Sequence, residues 1–183
     1  MTPRIFLTGI LLGAAPLIAQ VATPPGQAAK VVQSVTARND ATESLKANKA
    51  QAAVASLQAG AKKGAGAASE DAQVASELWV IARNLSASQH PSAPATVAFA
   101  AGELAKARAK TNGREGAFLD LQAGELQETL LGDRAKARLF YQAALAQDPR
   151  LKEADAGLKR IARAEALALA KAWENAELRT RTK

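Results

Sequence analysis

Alanine occupies 46 of the 183 positions in this chain, and this feature limits the kind of core that the chain can build. Hydrophobic residues make up 48% of the sequence, but aromatic residues make up only 4%. Much of the apolar fraction therefore buries little area per residue, because an alanine methyl group is small. We expect an all-α fold in which many helices share a thin core.

The residue types that most enzymes and metal sites need are nearly missing. Cysteine is absent and histidine occurs once, at His90. This composition excludes disulfides, thiolate zinc sites and multi-histidine metal sites. His90 lies in a polar stretch between helices and Glu125 and Glu128 lie three residues apart on one helix, so we interpret all three as solvated residues. The sequence predicts no enzyme, no metal, no cofactor and no small-molecule substrate.

The net charge is positive. Lys and Arg number 24 against 17 Asp and Glu, which gives a formal charge of +7. Such a balance favours anionic partners, among which an acidic envelope polymer or a membrane surface fits better than nucleic acid.

The first residues are typical of a secretory signal peptide, which we place at residues 1–22. Arg4 forms a short basic region, and a mainly apolar run from Ile5 to Ala19 follows it. The run is shorter than the roughly 20 residues that a membrane-spanning helix needs. Cleavage is expected after Ala19 or Ala22, with an uncleaved membrane anchor as the alternative. The predicted location is the periplasm or the exterior of the cell.

Residues 23–68 differ in composition from the rest of the chain. They contain a basic, Ala- and Lys-rich segment in which two modest helices are plausible, and a Gly- and Ala-rich linker from Gly60 to Ser69 follows. We place a boundary at this linker and interpret residues 69–183 as one helical domain.

Apolar residues at helical spacing predict several amphipathic helices in residues 69–183. Ser69 is expected to cap the first, whose stripe has spacings of four, three and four residues. Two more helices are predicted from Ser92 to about Lys110 and from about Arg114 to Leu131, and a long C-terminal helix from Leu151 to about Arg179. The first stripe consists of Val74, Leu78, Ile81 and Leu85.

The stretch 118–161 carries the most specific pattern in the sequence. Gly132 is expected to end one helix and Asp133 to cap the next, so that the two helices lie antiparallel. Small residues seven positions apart then allow close helix contact. An Asp-Pro pair ends the second helix, and Asp148 is expected to cap the helix that follows. The pattern consists of the corner Leu131-Gly132-Asp133, then Ala137, Tyr141, Ala144, Leu145, Asp148 and Pro149.

This pattern resembles the tetratricopeptide repeat and covers one repeat at about 118–151 plus a following capping helix. The chain departs from that family at Glu125, where a glycine is common, and at Glu128, where an aromatic residue is usual. The resemblance implies a short solenoid of antiparallel helix pairs that ends in the long C-terminal helix. It further implies a noncatalytic adaptor or assembly factor that binds a partner protein in the cell envelope. The alternative is an envelope protein whose basic arm binds an anionic polymer or a membrane surface.

The resemblance also implies a binding surface, because the first helix of each repeat in that family lines the concave face. The corresponding residues here are Leu119, Gln122, Leu126, Thr129 and Leu130. They predict a mostly apolar groove that would accept a helix or an extended segment with apolar anchors. The alternative is that the three leucines are buried under the preceding helix.

Overall fold

The computed structural model describes residues 25–61 and 67–181, so the predicted signal peptide lies outside the described residues. In these two ranges the chain forms seven α-helices and no strand, which confirms the all-α prediction. The helices are α1 (Pro25–Lys46), α2 (Ala50–Ala61), α3 (Ala67–Ala87), α4 (Ala93–Ala109), α5 (Gly113–Thr129), α6 (Arg134–Gln147) and α7 (Lys152–Arg181).

Three helix pairs follow one another along the chain. Helix α1 packs on α2, α3 on α4 and α5 on α6, and the tight connection within the first, second and third pairs makes the two helices antiparallel. Helix α5 also contacts α3, α4 and α7, so the second and third pairs stack and α7 closes the row. The predicted architecture of antiparallel pairs with a long C-terminal helix is confirmed.

The corner between α5 and α6 forms as the sequence predicts. Gly132 has a φ of +70°, a left-handed conformation that glycine adopts without strain. Asp133 is the N-cap of α6, and its carboxylate accepts a hydrogen bond from the backbone N–H of Lys136 at 3.0 Å. These two residues together reverse the chain.

Two predicted caps are placed differently. Helix α3 begins at Ala67, so Ser69 lies within its first turn and not at its N-cap. Asp148 was expected to cap the last helix, but α7 begins only at Lys152. The Asp148 carboxylate instead accepts the backbone N–H of Arg150 at 3.0 Å, because Pro149 starts a separate turn before the helix.

The buried apolar side chains form two clusters. We call the first the N-terminal cluster; its members come from α1 to α5 and are all aliphatic. We call the second the C-terminal cluster; it joins α5, α6 and α7. The second cluster consists of Ala117, Leu121, Ala137, Tyr141, Ala144, Leu151, Ala154 and Ile161.

The helices of the predicted basic arm pack on the rest of the molecule. Leu45 of α1 and Leu57 of α2 are buried in the N-terminal cluster together with side chains of α3 and α4. The Arg38 guanidinium of α1 also donates from Nη2 to Glu77 Oε1 of α3 at 2.7 Å. Residues 62–66 of the predicted linker lie outside the described residues.

None of the helices in the described ranges combines the length and the apolar character that are needed to cross a membrane.

Candidate functional site

Helix α5 lies at the centre of the stacked pairs and contributes to both clusters. Two strips of its surface form candidate sites with neighbouring helices. One strip borders α3 and α7, and we call the surface that it forms with them the central face. The other strip lies between α4 and α6 and forms the floor of a concavity that we call the alanine groove.

The central face is polar. The Ser76 hydroxyl of α3 donates to Gln122 Oε1 of α5 at 2.9 Å, which ties the two helices together. Burial raises the pKa of the neighbouring Glu125, while the positive charges of Arg83 on α3 and Arg160 on α7 act in the opposite direction. This face therefore presents fixed charges of both signs.

The structure divides the five predicted binding residues between the core and the surface. Leu119 and Leu126 are 2% and 1% exposed and belong to the N-terminal cluster, and Leu130 is half-buried against the same cluster. Gln122 is half-buried on the central face. Thr129 is exposed, and its hydroxyl donates to the Glu125 carbonyl at 2.6 Å. Binding at Gln122 and Thr129 stays a prediction.

The alanine groove is a mainly apolar concavity. It has a volume of about 320 Å³ and runs between α4 and α6 over α5. Methyl side chains form much of its wall, together with two fully buried leucines, Leu104 of α4 and Leu126 of α5. The space exists because these helices carry small residues where they face it. The lining residues are Ala101, Leu104, Ala105, Arg108, Ala109, Asp120, Ala123, Leu126, Gln127 and Phe140.

One end of the alanine groove is charged. Asp120 is 3% exposed, and its Oδ2 atom accepts from Arg108 Nε at 2.8 Å and from Gln147 Nε2 at 2.6 Å. Arg108 Nη1 also donates to the Thr111 carbonyl at 2.7 Å. These hydrogen bonds hold the Arg108 and Gln147 side chains against the buried carboxylate. The Arg108 side chain is still 31% exposed, so part of it faces the groove and the solvent.

A second polar cluster, formed by Tyr141, Glu128 and Arg160, fastens α7. The Tyr141 ring is fully buried between Gly124 of α5 and Gly157 of α7, where added Cβ atoms would lie 2.6 Å and 2.5 Å from the ring. Its hydroxyl donates to Glu128 Oε2 at 2.6 Å, and Arg160 Nη2 donates to the same oxygen at 2.8 Å. Burial and the nearby Glu128 raise the pKa of Tyr141 strongly.

The interpretation of Glu125 and Glu128 as solvated carboxylates was wrong. Both residues are half-buried, and the Glu128 side chain is only 14% exposed. The hydrogen bond from Arg160 is the main reason that the pKa of Glu128 is lowered. Sequence spacing showed only that the two carboxylates share a helix, whereas their partners come from α3, α6 and α7.

His90 is half-buried in the connection between α3 and α4. Its Nδ1 atom accepts the backbone N–H of Ser92 at 3.2 Å and lies 2.9 Å from the Ser92 hydroxyl oxygen. Ser92 is the N-cap residue of α4, and its hydroxyl makes no capping bond. The pair therefore organises this loop.

No pattern in the sequence marks Ala105, Ala123 and Phe140 as parts of one groove. Alanine is so frequent in this chain that a surface of alanines gives no distinct signal in the sequence. An exposed Ala105 and a half-buried Phe140 become one site only because α4 and α6 flank α5 in space.

Two cations of the predicted basic arm are engaged within the chain. Arg38 pairs with Glu77, and Lys46 Nζ lies 2.8 Å from Glu43 Oε1. These pairs neutralise part of the positive charge of α1.

Comparison of the chain with family models, with curated proteins and with solved structures found no match.

Proposed function

We propose that the protein is a noncatalytic helical adaptor of the tetratricopeptide-repeat kind that binds a segment of a partner protein outside the cytoplasm. The observation that carries this proposal is the alanine groove, a preformed apolar concavity of about 320 Å³ between α4 and α6. Grooves of this kind between helices accept the apolar face of an amphipathic helix or the apolar anchors of an extended segment.

The lining of the groove defines the chemistry of the bound segment. Methyl groups such as those of Ala105 and Ala123 let a partner backbone approach closely, and the Phe140 ring offers a flat apolar contact. The partly exposed Arg108 at the charged end favours a carboxylate or a backbone carbonyl on the ligand. The expected ligand therefore carries one or two apolar anchors followed by an acidic or polar residue.

A variant that fills the groove tests the proposal. Ala105→Trp places a large ring in the groove from an exposed position of α4, so the fold is expected to remain intact. Ala95→Trp is the matched control, because Ala95 is also exposed on α4 but does not line the groove. The wild type is first used to isolate a partner whose binding withstands high salt. The affinity of this partner for the wild type and for each variant is then measured by calorimetry.

We expect Ala105→Trp to weaken binding at least about tenfold and Ala95→Trp to leave it within about twofold, since interface energy concentrates in few central contacts. Equal affinity of both variants and the wild type would show that the partner does not bind in the alanine groove. A different outcome is retention of the protein on anionic vesicles or an acidic polysaccharide. If that retention is lost as the salt concentration rises, the result favours the alternative in which the basic arm binds an anionic surface.

Export is the second part of the proposal and rests on Arg4 and the apolar run that follows it. The mature chain then begins near Gln20 or Thr23. Intact-mass measurement of the protein from fractionated cells tests this start. A cytosolic species that retains residues 1–19 would contradict the proposed location without affecting the groove.

A further inference from the structure

Helix α7 has a packed half and a projecting half. Ala154, Gly157 and Ile161 of the packed half are buried against α5 and α6. From Glu165 onward, every side chain of α7 that the structure describes is exposed, and the Glu165 carboxylate pairs with Arg138 of α6 where the projecting half begins. At about 1.5 Å per residue, the projecting half extends roughly 25 Å past the packed body.

A continuous apolar seam starts at Ala162 and runs along the projecting half of α7. Its members are separated by four, three, four and three residues, the spacing that places side chains on one face of a helix that pairs with another helix. Its two large members, Leu169 and Trp173, are 61% and 71% exposed. The α7 seam consists of Ala162, Ala166, Leu169, Trp173 and Ala176.

One large apolar residue lies away from the seam. Leu167 is 62% exposed, as much as Leu169, but two helix positions separate them, which is a rotation of about 200°. Leu167 therefore points away from anything that covers the seam, and it provides an internal control.

Charged residues flank the seam in an order that selects one partner and one orientation. When two such helices pair antiparallel about an axis near residue 171, Arg163 lies beside Glu177 of the second copy, and Glu165 lies beside the second copy's Arg179. By symmetry, each attractive pair forms twice. Within the single chain, Glu165 pairs with Arg138 of α6 and Glu177 pairs with Arg181, and because both pairs are exposed, their carboxylates can also meet a cation of the second copy. In a parallel in-register pair, the same acidic residues would face Ala170 and Ala172, so no charge pair would form.

We infer that the α7 seam is a self-association surface through which two copies of this chain pair antiparallel as a two-fold symmetric dimer. The seam and its flanking charges complement themselves, which a two-fold interface requires. The packed half of each α7 nucleates the projecting half, so the helix is formed before the copies meet. The seam extends over only about two heptads, so we expect a dissociation constant in roughly the micromolar range.

Sedimentation velocity over a concentration series tests self-association of the chain. The wild type is expected to convert from monomer to dimer as concentration rises, with a blue shift of Trp173 emission. Trp173→Ala and Leu169→Ala are expected to raise the dissociation constant at least about tenfold, and Leu167→Ala to change it less than about twofold. A wild type that stays monomeric up to about 0.5 mM overturns the inference. So does an equal effect of Leu167→Ala and Leu169→Ala.

Single thiols test the orientation, because the chain has no cysteine of its own. Ala172 lies close to its own copy across an axis near residue 171, whereas Ala176 is displaced by ten residues, or about 15 Å, along the helix. We expect Ala172→Cys to cross-link efficiently with a short bis-maleimide and Ala176→Cys to cross-link poorly. The reverse pattern is that of a parallel dimer and overturns the antiparallel arrangement.

Charge exchange gives an independent test. Arg163→Glu is expected to weaken the dimer at least about threefold, since it places two carboxylates together. Adding Glu177→Arg should restore the affinity, because the exchanged pair is again attractive. A double variant as weak as the single one contradicts this pairing. Both residues are exposed, so circular dichroism should show unchanged helix content in each variant.

Discussion

The two apolar clusters of this protein both hold helices together, but they use different side chains. The N-terminal cluster joins five helices through alanine, leucine, valine and isoleucine side chains, so its stabilisation is spread over many small contacts. The C-terminal cluster joins three helices around one fully buried tyrosine, which two glycines and a carboxylate hold in place.

This difference shows how an alanine-rich chain with few aromatic residues can hold its last helix. A spread-out cluster tolerates the loss of a methyl group, because its neighbours retain most of their contacts. A cluster built on one ring depends on that ring, because Gly124 and Gly157 have no side chains with which to replace it. The third pair and α7 should therefore be the part of the protein that single substitutions affect most.

The largest expected effect is that of Tyr141→Ala, which empties the centre of the C-terminal cluster. We expect it to lower the free energy of unfolding by roughly 3 to 5 kcal/mol, the range for truncation of a buried aromatic side chain. Phe140→Ala is the neighbouring control. That side chain is half-buried at the alanine groove, and its loss should cost roughly 1 to 2 kcal/mol. Urea unfolding measures the free energy for both variants. Equal losses would show that the C-terminal cluster does not depend on the Tyr141 ring more than on its neighbour.

Two glycine substitutions test whether the C-terminal cluster is packed more tightly than the surface of α4. Gly157→Ala should cost roughly 1 to 3 kcal/mol, because the new Cβ atom would lie 2.5 Å from the buried Tyr141 ring. Gly102→Ala in α4 should instead stabilise by roughly 0.5 to 1 kcal/mol, since no atom lies within 4 Å of its added Cβ and alanine favours a helix. The melting temperatures of the two variants test this difference. A shift of the same sign in both would contradict the close packing of Gly157 against the Tyr141 ring.

The carboxylate of Glu128 should make the C-terminal cluster sensitive to acid. Its pKa in the folded protein lies below the usual value of 4.5, chiefly because Arg160 donates to it. A lowered pKa gives stabilisation that is complete above the unfolded value and is lost as pH falls through the folded value. Glu128→Gln should cost about 1 to 2 kcal/mol at pH 7 and less below pH about 4. The free energy of unfolding, measured from pH 7 to pH 3, should therefore fall less steeply in Glu128→Gln than in the wild type, and parallel curves would contradict this role.

The smallest expected effect on stability comes from residues of α5 that lie outside both clusters. Gln122→Glu combined with Thr129→Glu should change the free energy of unfolding by at most about 1 kcal/mol, mainly through repulsion with Glu125. Partner binding should weaken if the central face takes part in it. Calorimetry with the isolated partner, beside the Ala105→Trp variant, distinguishes this face from the alanine groove. A large loss of stability would show that Gln122 and Ser76 matter more to packing than their half-buried positions indicate.

Much of the fold could be predicted because its signals are local. The bounds of α4, α5 and α6 follow from Pro94, Asn112, Gly132 and Asp133, whose backbone preferences act within one helical turn. The long last helix was predicted as well, since no glycine or proline interrupts the chain after Gly157. The errors at Ser69 and Asp148 arose where a capping residue found a different local partner or where the helix began earlier.

The candidate site could be predicted only in part. The repeat resemblance directed attention to α5, and Gln122 and Thr129 do lie at its surface. Leu119 and Leu126 belong to the core, because the stripe that contains them faces α3 and α4. Periodicity tells which residues of a helix are apolar, but it does not tell how many neighbouring helices cover them.

From the sequence alone one can predict that this protein is all-α, where its corners fall and which side chains are large enough to anchor a cluster. Those properties depend on backbone preferences and side-chain sizes that each residue carries with it. Three further features become visible only when the helices are packed. Glu128 accepts a hydrogen bond from Tyr141, alanines of α4 and α5 line a groove, and Trp173 is exposed. Each of these outcomes depends on where a second helix runs and ends, and that follows from the packing of the whole chain.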